Sequence, residues 1–131
     1  MTGRRATIGA QELELLRWLE QRGQATVGEA AEGFGGERGL ARSTVLTMME
    51  RLRHKGHLRR AAAGGVFRYR VAVPAGEAVR HAVADFIDRT LAGSVSPLVD
   101  YLAGREDLGP EEVAGLERLV ARLGERRRGR K

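Results

Sequence analysis

Short hydroxyl side chains and arginines recur at helical spacing between residues 42 and 51, a combination suited to contact with DNA. Ser43, Thr47 and Arg51 are four residues apart, so they share one face of a helix. Hydroxyl groups bond to base edges or phosphates, a threonine methyl fits a thymine methyl, and arginine offers two donors to guanine or phosphate. The pattern predicts a helix face that enters the major groove, and ordinary exposed positions for the hydroxyl residues are the alternative. The residues expected to reach DNA from this helix are Arg42, Ser43, Thr44, Leu46, Thr47 and Arg51.

A second set of candidate contacts lies where basic and aromatic residues alternate. Phe67 and Tyr69 alternate with Arg68 and Arg70, which is the period of a half-buried strand. A glycine-rich turn and another basic run precede them, so we expect a β-hairpin whose aromatic face packs on the domain. A stacking platform for single strands is the weaker alternative, because the aromatic residues have core spacing. The hairpin residues expected to hold phosphate are Arg59, Arg60, Arg68 and Arg70.

The charge distribution agrees with a polyanionic partner for this part of the chain. Of the 131 residues, those numbered 1–73 carry 13 basic and 7 acidic side chains, whereas residues 74–124 carry 5 and 9. Residues 38–70 alone hold nine basic side chains and one acid, Glu50. Nucleic acid is the usual partner of such a surface, and a merely solvated charged face is the alternative.

Three short helices must position these side chains. An amphipathic helix begins at Ala10, buries Trp18 with its leucines and ends at Gly23. Thr26 and Glu29 form a capping box that opens a second helix, which a glycine cluster ends. The third helix runs from about Ala41 to His54 with its apolar face inward. Three helices followed by a hairpin predict a winged helix-turn-helix domain, so the fold class is mostly α with a small β-hairpin.

The second half of the chain predicts three more helices with wide apolar faces. One chain offers no further helix to cover them, so we expect the same segment of a second copy to pair with them in a symmetric homodimer. Folding of these helices onto the winged domain is the alternative. The residues expected at the dimer interface are Val79, Val83, Phe86, Ile87, Leu91, Leu98, Val99, Leu102, Leu116, Leu119, Val120 and Leu123.

These patterns divide the chain into three parts. We expect a DNA-binding domain over residues 1–73, a helical dimerisation domain over residues 74–124 and a disordered basic tail over residues 125–131. The tail carries five basic residues and one acid, with no apolar residue.

Several function classes are disfavoured by what the sequence lacks. It has no cysteine, which excludes disulfides, thiolate metal sites and a cysteine nucleophile. His54, His57 and His81 are scattered and no catalytic motif accompanies them, so we expect neither an enzyme nor a bound cofactor or metal. No segment has the length and apolarity of a membrane span or a signal peptide, and we expect a cytoplasmic protein.

Four segments resemble the penicillinase repressor family (BlaI/MecI/CopY). They are residues 39–52, the run Lys55-Gly56-His57-Leu58 with the later Phe67-Arg68-Tyr69, and residues 108–113. The resemblance covers nearly the whole chain. It implies a homodimeric winged-helix repressor whose C-terminal helices form the dimer and whose operators are palindromic, often with a TACA/TGTA core. It also implies control by a membrane sensor metalloprotease.

Two departures limit what the resemblance implies about induction. Members that respond to β-lactams are cut at an Asn-Phe bond, and the matching position here is Asp100-Tyr101. Copper-responsive members use a C-terminal cysteine array, which this chain lacks.

A winged helix that docks proteins without sequence-specific DNA binding is the alternative function. Nine cations against one acid favour DNA over a protein partner.

Overall fold

The computed structural model describes residues 8–129. Contacts divide the chain into two compact units, the first ending at Gly93 and the second beginning at Ser94. The fold is mostly helical with one small antiparallel sheet, as the sequence predicts.

The first unit is a winged helix-turn-helix domain followed by a further helix. Its helices are α1 (Ala10–Arg22), α2 (Val27–Ala30), α3 (Gly36–Arg38), α4 (Arg42–His54) and α5 (Ala75–Arg89), and a π-helical segment (Ala31–Gly35) joins α2 to α3. Its strands are β1 (Gln24–Ala25), β2 (Leu58–Ala63) and β3 (Val66–Val71), in the spatial order β1-β3-β2. We call β2, β3 and their two-residue turn the wing.

The predicted capping box of α2 and the predicted inward face of α4 are confirmed. The Thr26 hydroxyl accepts from the Glu29 amide at 3.1 Å, and the Glu29 carboxylate accepts from the Thr26 amide at 3.0 Å, so the capping box opens α2. The inward face of α4 is buried as predicted, and it comprises Val45, Met48, Met49 and Leu52. This face and three leucines of α1 form the core that holds α4 in place.

Three features of the first unit differ from the expectation. The glycine cluster at residues 33–36 does not end the second helix, because it continues through the π-helical segment into α3. Trp18 is half-buried instead of fully in the core, with its ring 6.4 Å from that of Phe34 in an edge-on arrangement. Strand β1 was not expected, since two residues between helices carry no periodic signal.

Helix α5 begins by packing on α1. Ala75 and Ala78 are buried, and the Ala75 amide donates to the Glu20 carboxylate at 3.2 Å. The contact division therefore falls at Gly93, beyond the boundary expected after residue 73. Further along α5, Val83 and Phe86 are about half exposed. Val79, Ile87 and Leu91 are partly buried.

The second unit contains α6 (Ser96–Gly104) and α7 (Pro110–Gly129). Helix α7 includes residues 125–129, which the sequence assigned to a disordered tail, because Glu and Arg are good helix formers that extend an existing helix at little cost. Residues 130 and 131 of that tail lie outside the described residues. Among residues 8–129, no helix combines the length and apolarity that crossing a membrane requires.

Candidate nucleic-acid interface

The outer face of α4 presents the side chains that the sequence selected. Arg42, Ser43, Thr44, Thr47 and Arg51 are all exposed. Leu46 lies beside them and is 42% exposed. The Thr47 hydroxyl donates to the Ser43 carbonyl at 3.0 Å, so it offers a ligand its methyl group and its oxygen lone pairs. The face can therefore accept hydrogen bonds and contact thymine methyl groups.

Arg42 lies at the start of α4, close to the start of α2. A β-carbon at Gly28 would lie 3.2 Å from Nη1 of Arg42, so the glycine lets the guanidinium lie against the α2 backbone. An open groove of about 360 Å³ separates α2 and α4 from the wing. Val27, Leu46 and Phe67 supply apolar parts of its wall, and Arg42 and Arg60 add positive charge.

Arg51 lies on the flank of α4 that faces α1. Lys55, one turn further along, forms a 2.7 Å ion pair with Glu12 of α1. Burial alone would raise the pKa of Glu12. The hydrogen bonds from Lys55 and Gly9, together with the charges of Lys55 and Arg51, outweigh that effect, so the pKa lies below its ordinary value. The Arg51 side chain itself remains exposed.

The four wing arginines do not all lie on the same face of the sheet. The register places Arg59 opposite Arg70 and Arg68 opposite Ala61, so these three arginines share the outer face of the sheet. Arg60 is opposite Tyr69, on the inner face toward α4. The sequence predicted phosphate contacts for all four, and the structure gives Arg60 different surroundings from the others.

The aromatic residues of β3 are divided as well. Tyr69 is 1% exposed, as expected for a core position. Phe67 is 45% exposed, so its predicted packing on the domain is wrong. It lies on the part of the hairpin that extends past the core, where the guanidinium of Arg60 stacks 4.0 Å above its ring.

Acids from distant parts of the sequence neutralise several of the nine clustered cations. Arg38 pairs with Glu14 at 3.1 Å and Arg68 with Glu29 at 3.4 Å, in addition to the pair between Lys55 and Glu12. The count of one acid in residues 38–70 therefore overstates the local charge. Four of the nine clustered cations form no ion pair with any part of residues 8–129, and they are Arg42, Arg51, Arg59 and Arg70.

Glu50 is the centre of a polar cluster that sequence analysis missed. It accepts from Arg53 at 2.8 Å, from Arg60 at 2.9 Å and from the Tyr69 hydroxyl at 2.6 Å. The hydrogen bonds from Arg53 are the main cause that lowers the pKa of Glu50 to about 2, against the opposing effect of burial, and the Tyr69 hydroxyl contributes as well. The available signal was its position as a lone acid among nine cations.

Comparison with known protein families gives one match, which covers most of the chain. The model of a family described as Penicillinase repressor matches residues 8–122. A search among curated proteins found no significant match.

Three solved structures have a chain path similar to that of this chain. A MarR family protein from Bacillus stearothermophilus is 26% identical, over 92% of this chain and 76% of that chain, with a TM-score of 0.46. A probable transcriptional regulator from Pseudomonas aeruginosa is 18% identical over 88% and 78%, with a TM-score of 0.47. FabT from Streptococcus pneumoniae, in complex with DNA, is 16% identical over 95% and 78%, with a TM-score of 0.45. At these scores, classification depends on the family match and on the observed topology.

Proposed function

This chain belongs to the penicillinase repressor family, and we propose that this winged-helix DNA-binding regulator represses transcription as a homodimer on a palindromic operator. The exposed face of α4 is the observation that carries the proposal. It combines short hydroxyl side chains, an exposed leucine and the arginines Arg42 and Arg51, all on a helix whose other face is buried. A helix with these two faces suits the major groove.

We assign separate roles to the two basic elements. From α4, Ser43, Thr47 and Arg51 contact base edges, with Thr44 and Leu46 beside them, and Arg42 contacts phosphate. From the wing, the outward Arg59, Arg68 and Arg70 contact phosphate, which positions the protein without selecting a sequence. Arg59 and Arg70 have no acid to displace within residues 8–129, whereas Arg68 must leave Glu29.

The homodimer is supported by apolar surface that the helices of the second unit leave exposed. Val99 is 56% exposed on α6, and Val120 is 68% and Leu123 51% exposed on α7. Exposed apolar side chains at helical spacing favour pairing with the same surface of a second copy. Control by a membrane sensor protease stays a prediction from the resemblance, and Asp100 and Tyr101 occupy the matching position on α6.

Selection of duplexes from a random pool tests the proposal. The protein is incubated with the pool, bound duplexes are recovered over several rounds, and the enriched sequence is compared with its scrambled form by gel shift at moderate salt. We expect an inverted repeat, bound at least a thousandfold more tightly than the scrambled duplex. Equal binding of the two duplexes, or no enrichment, would show that the function is not sequence-specific repression and would favour a protein-docking role.

A further inference from the structure

The wing is anchored to the rest of the domain only along part of its length. Strand β1 pairs with β3 at two positions, Gln24 with Arg70 and Ala25 with Tyr69. Beyond Tyr69 the hairpin continues as two strands, with small exposed alanines on β2 and an exposed Phe67 on β3. A two-stranded hairpin alone is marginally stable in water, so the outer part of the wing depends on side-chain contacts, of which the 3.4 Å pair between Arg68 and Glu29 is one.

Glu50 supplies a connection at the level where the third strand ends. Of the β3 residues that pair with β1, Tyr69 is the one nearer the hairpin turn, and Arg60 is its partner across the hairpin. The carboxylate of Glu50 bonds to both, at 2.6 Å to the Tyr69 hydroxyl and 2.9 Å to Arg60. One side chain of α4 therefore contacts both strands of the wing.

The bonding capacity of this carboxylate is already used within the protein. Besides the two wing contacts, Arg53 donates to both Glu50 oxygens, at 3.2 Å from Nε to each and at 2.8 Å from Nη2 to Oε1. A carboxylate has about four lone-pair sites, so Glu50 has little capacity left for a base. Its two arginine partners also reduce the repulsion that a phosphate would experience near it.

We propose that Glu50 is a positioning residue that fixes the angle of the wing relative to α4, and that this fixed geometry increases discrimination between operator and other sequences. The inference rests on the proposed DNA-binding function. Arg60 then acts through the same cluster, since Glu50 and the ring of Phe67 hold its guanidinium. Phosphate contacts fix the register of a protein on the duplex, so a wing at a fixed angle holds α4 where its side chains meet base edges. A loose wing would keep its phosphate contacts on any sequence while α4 left that register, which lowers the affinity for the operator more than the affinity for other sequences.

Substitution of Glu50→Gln tests the proposal against a charge-matched control. Glu32 is an exposed acid on the π-helical segment, and Glu32→Gln raises the net charge by the same single unit. Each protein is titrated with the duplex selected by the wild type and with its scrambled form, below the melting temperature of every variant. We expect Glu50→Gln to lower the ratio of the two affinities about tenfold, and Glu32→Gln to leave the ratio unchanged.

Two additional measurements separate the positioning role from a general loss of structure. Tyr69→Phe removes one hydrogen bond of the cluster and should lower the ratio by a smaller factor than Glu50→Gln. Hydrogen exchange without DNA should accelerate at the amides of β2 and β3 in Glu50→Gln, while the amides of α1 keep their protection.

The outcomes distinguish this proposal from the function on which it rests. If the wild type discriminates but Glu50→Gln keeps the same ratio and the same wing exchange, the positioning role is wrong and the repressor function stands. A second outcome is that wing exchange accelerates in Glu50→Gln although the wild type binds both duplexes equally. In that case the repressor function and the role of Glu50 in discrimination are both wrong, and only the connection of Glu50 to the wing stands.

Discussion

Individual arginines on this surface differ in what surrounds them, and the difference sets what each can do. Arg51 projects from α4 beside the hydroxyl residues, whereas Arg70 projects from the outer face of the wing beside Arg59. Neither forms an ion pair within residues 8–129. Both are therefore free to meet DNA, but we assign base contact to the first and phosphate contact to the second.

Replacement of Arg51 by alanine should mainly reduce specificity. A lost two-donor contact to guanine costs about 1–3 kcal/mol on the selected duplex and little on a scrambled one. Arg70→Ala is the matched comparison, and it should weaken both duplexes equally while lowering the slope of log K against log salt by about one. Titrations at several salt concentrations measure both effects. The reverse pattern would contradict the assignment of these two residues.

Ionisation of Glu50 should make the stability of the fold depend on pH. Its pKa is lowered to about 2 in the folded protein, from an ordinary value of 4.5. A lowered carboxyl pKa means that the ionised group stabilises the fold above about pH 4.5, and that this contribution is lost as pH falls toward 2.

Denaturation of Glu50→Gln across this pH range tests that sign. At pH 7 the free energy of unfolding should be about 1–3 kcal/mol lower than in the wild type, because charged hydrogen bonds are replaced by weaker ones. The difference should shrink between pH 4.5 and pH 2. A constant difference over that range would show that ionisation of Glu50 does not contribute.

The buried and exposed positions of α4 could be predicted from the sequence, because the helical repeat alone determines them. The buried positions Val45, Met49 and Leu52 follow directly from helical spacing and are confirmed. The partners of Glu50 could not be found in this way, since Arg60 and Tyr69 are brought to it by the fold. The same applies to Glu29, which pairs with Arg68 from 39 positions away.

At the scale of elements, the π-helical segment between α2 and α3 lies very close to the side chain of Trp18. A β-carbon at Gly33 would lie 2.5 Å from Cζ2 of Trp18. Glycine is therefore required in the π-helical segment for packing on α1, whereas its usual effect would be to end a helix. This explains why the sequence pattern indicated a stop where the structure continues.

Gly33→Ala should destabilise the first unit by about 1–3 kcal/mol, because the indole of Trp18 must move away from the new methyl group. Gly36→Ala is the control, since Gly36 has helical backbone angles and its nearest neighbour would be 4.0 Å from the new β-carbon. That change should be neutral or slightly stabilising. Thermal unfolding followed by Trp18 fluorescence measures both variants, and equal melting temperatures would contradict the packing argument.

The wing shows which parts of an element the sequence can predict. Alternation placed Phe67 and Tyr69 on one face, and the register agrees. Alternation does not tell how far the core extends along a strand, and Phe67 lies beyond it. Strand β1 was not predicted because its two residues are defined only by pairing with β3.

For the whole molecule, folding changes the charge that a partner meets. The sequence concentrates cations in residues 38–70, and the fold brings Glu12, Glu14 and Glu29 to several of them. The unpaired charge is left on α4 and on the outer face of the wing. The basic patch is therefore smaller than the sequence indicated, but it coincides with the proposed interface.

The exposed apolar residues of α7 predict the oligomeric state. Val120→Glu should convert the proposed dimer to a monomer, because a carboxylate in a paired apolar interface would be buried without a partner, at a cost of about 3–5 kcal/mol. Ala121→Glu introduces the same charge at an exposed neighbouring position on another face of the helix, and it should remain dimeric. Sedimentation equilibrium measures the mass of each variant. A wild-type monomer, or equal masses for the two variants, would contradict the proposed interface.

The same pair of variants connects the assembly to DNA affinity. In a dimer the second α4 binds its half-site as an intramolecular event, so loss of dimerisation should weaken binding to a two-half-site duplex about a hundredfold. Binding of Val120→Glu to a duplex with one half-site should equal that of Ala121→Glu, since the α4 surface is unchanged. If Val120→Glu loses affinity for both duplexes by the same factor, the substitution has damaged the DNA-binding unit and the avidity argument is wrong. A selective loss on the two-half-site duplex would show that each α4 binds one half-site and that pairing of two chains supplies the remaining affinity.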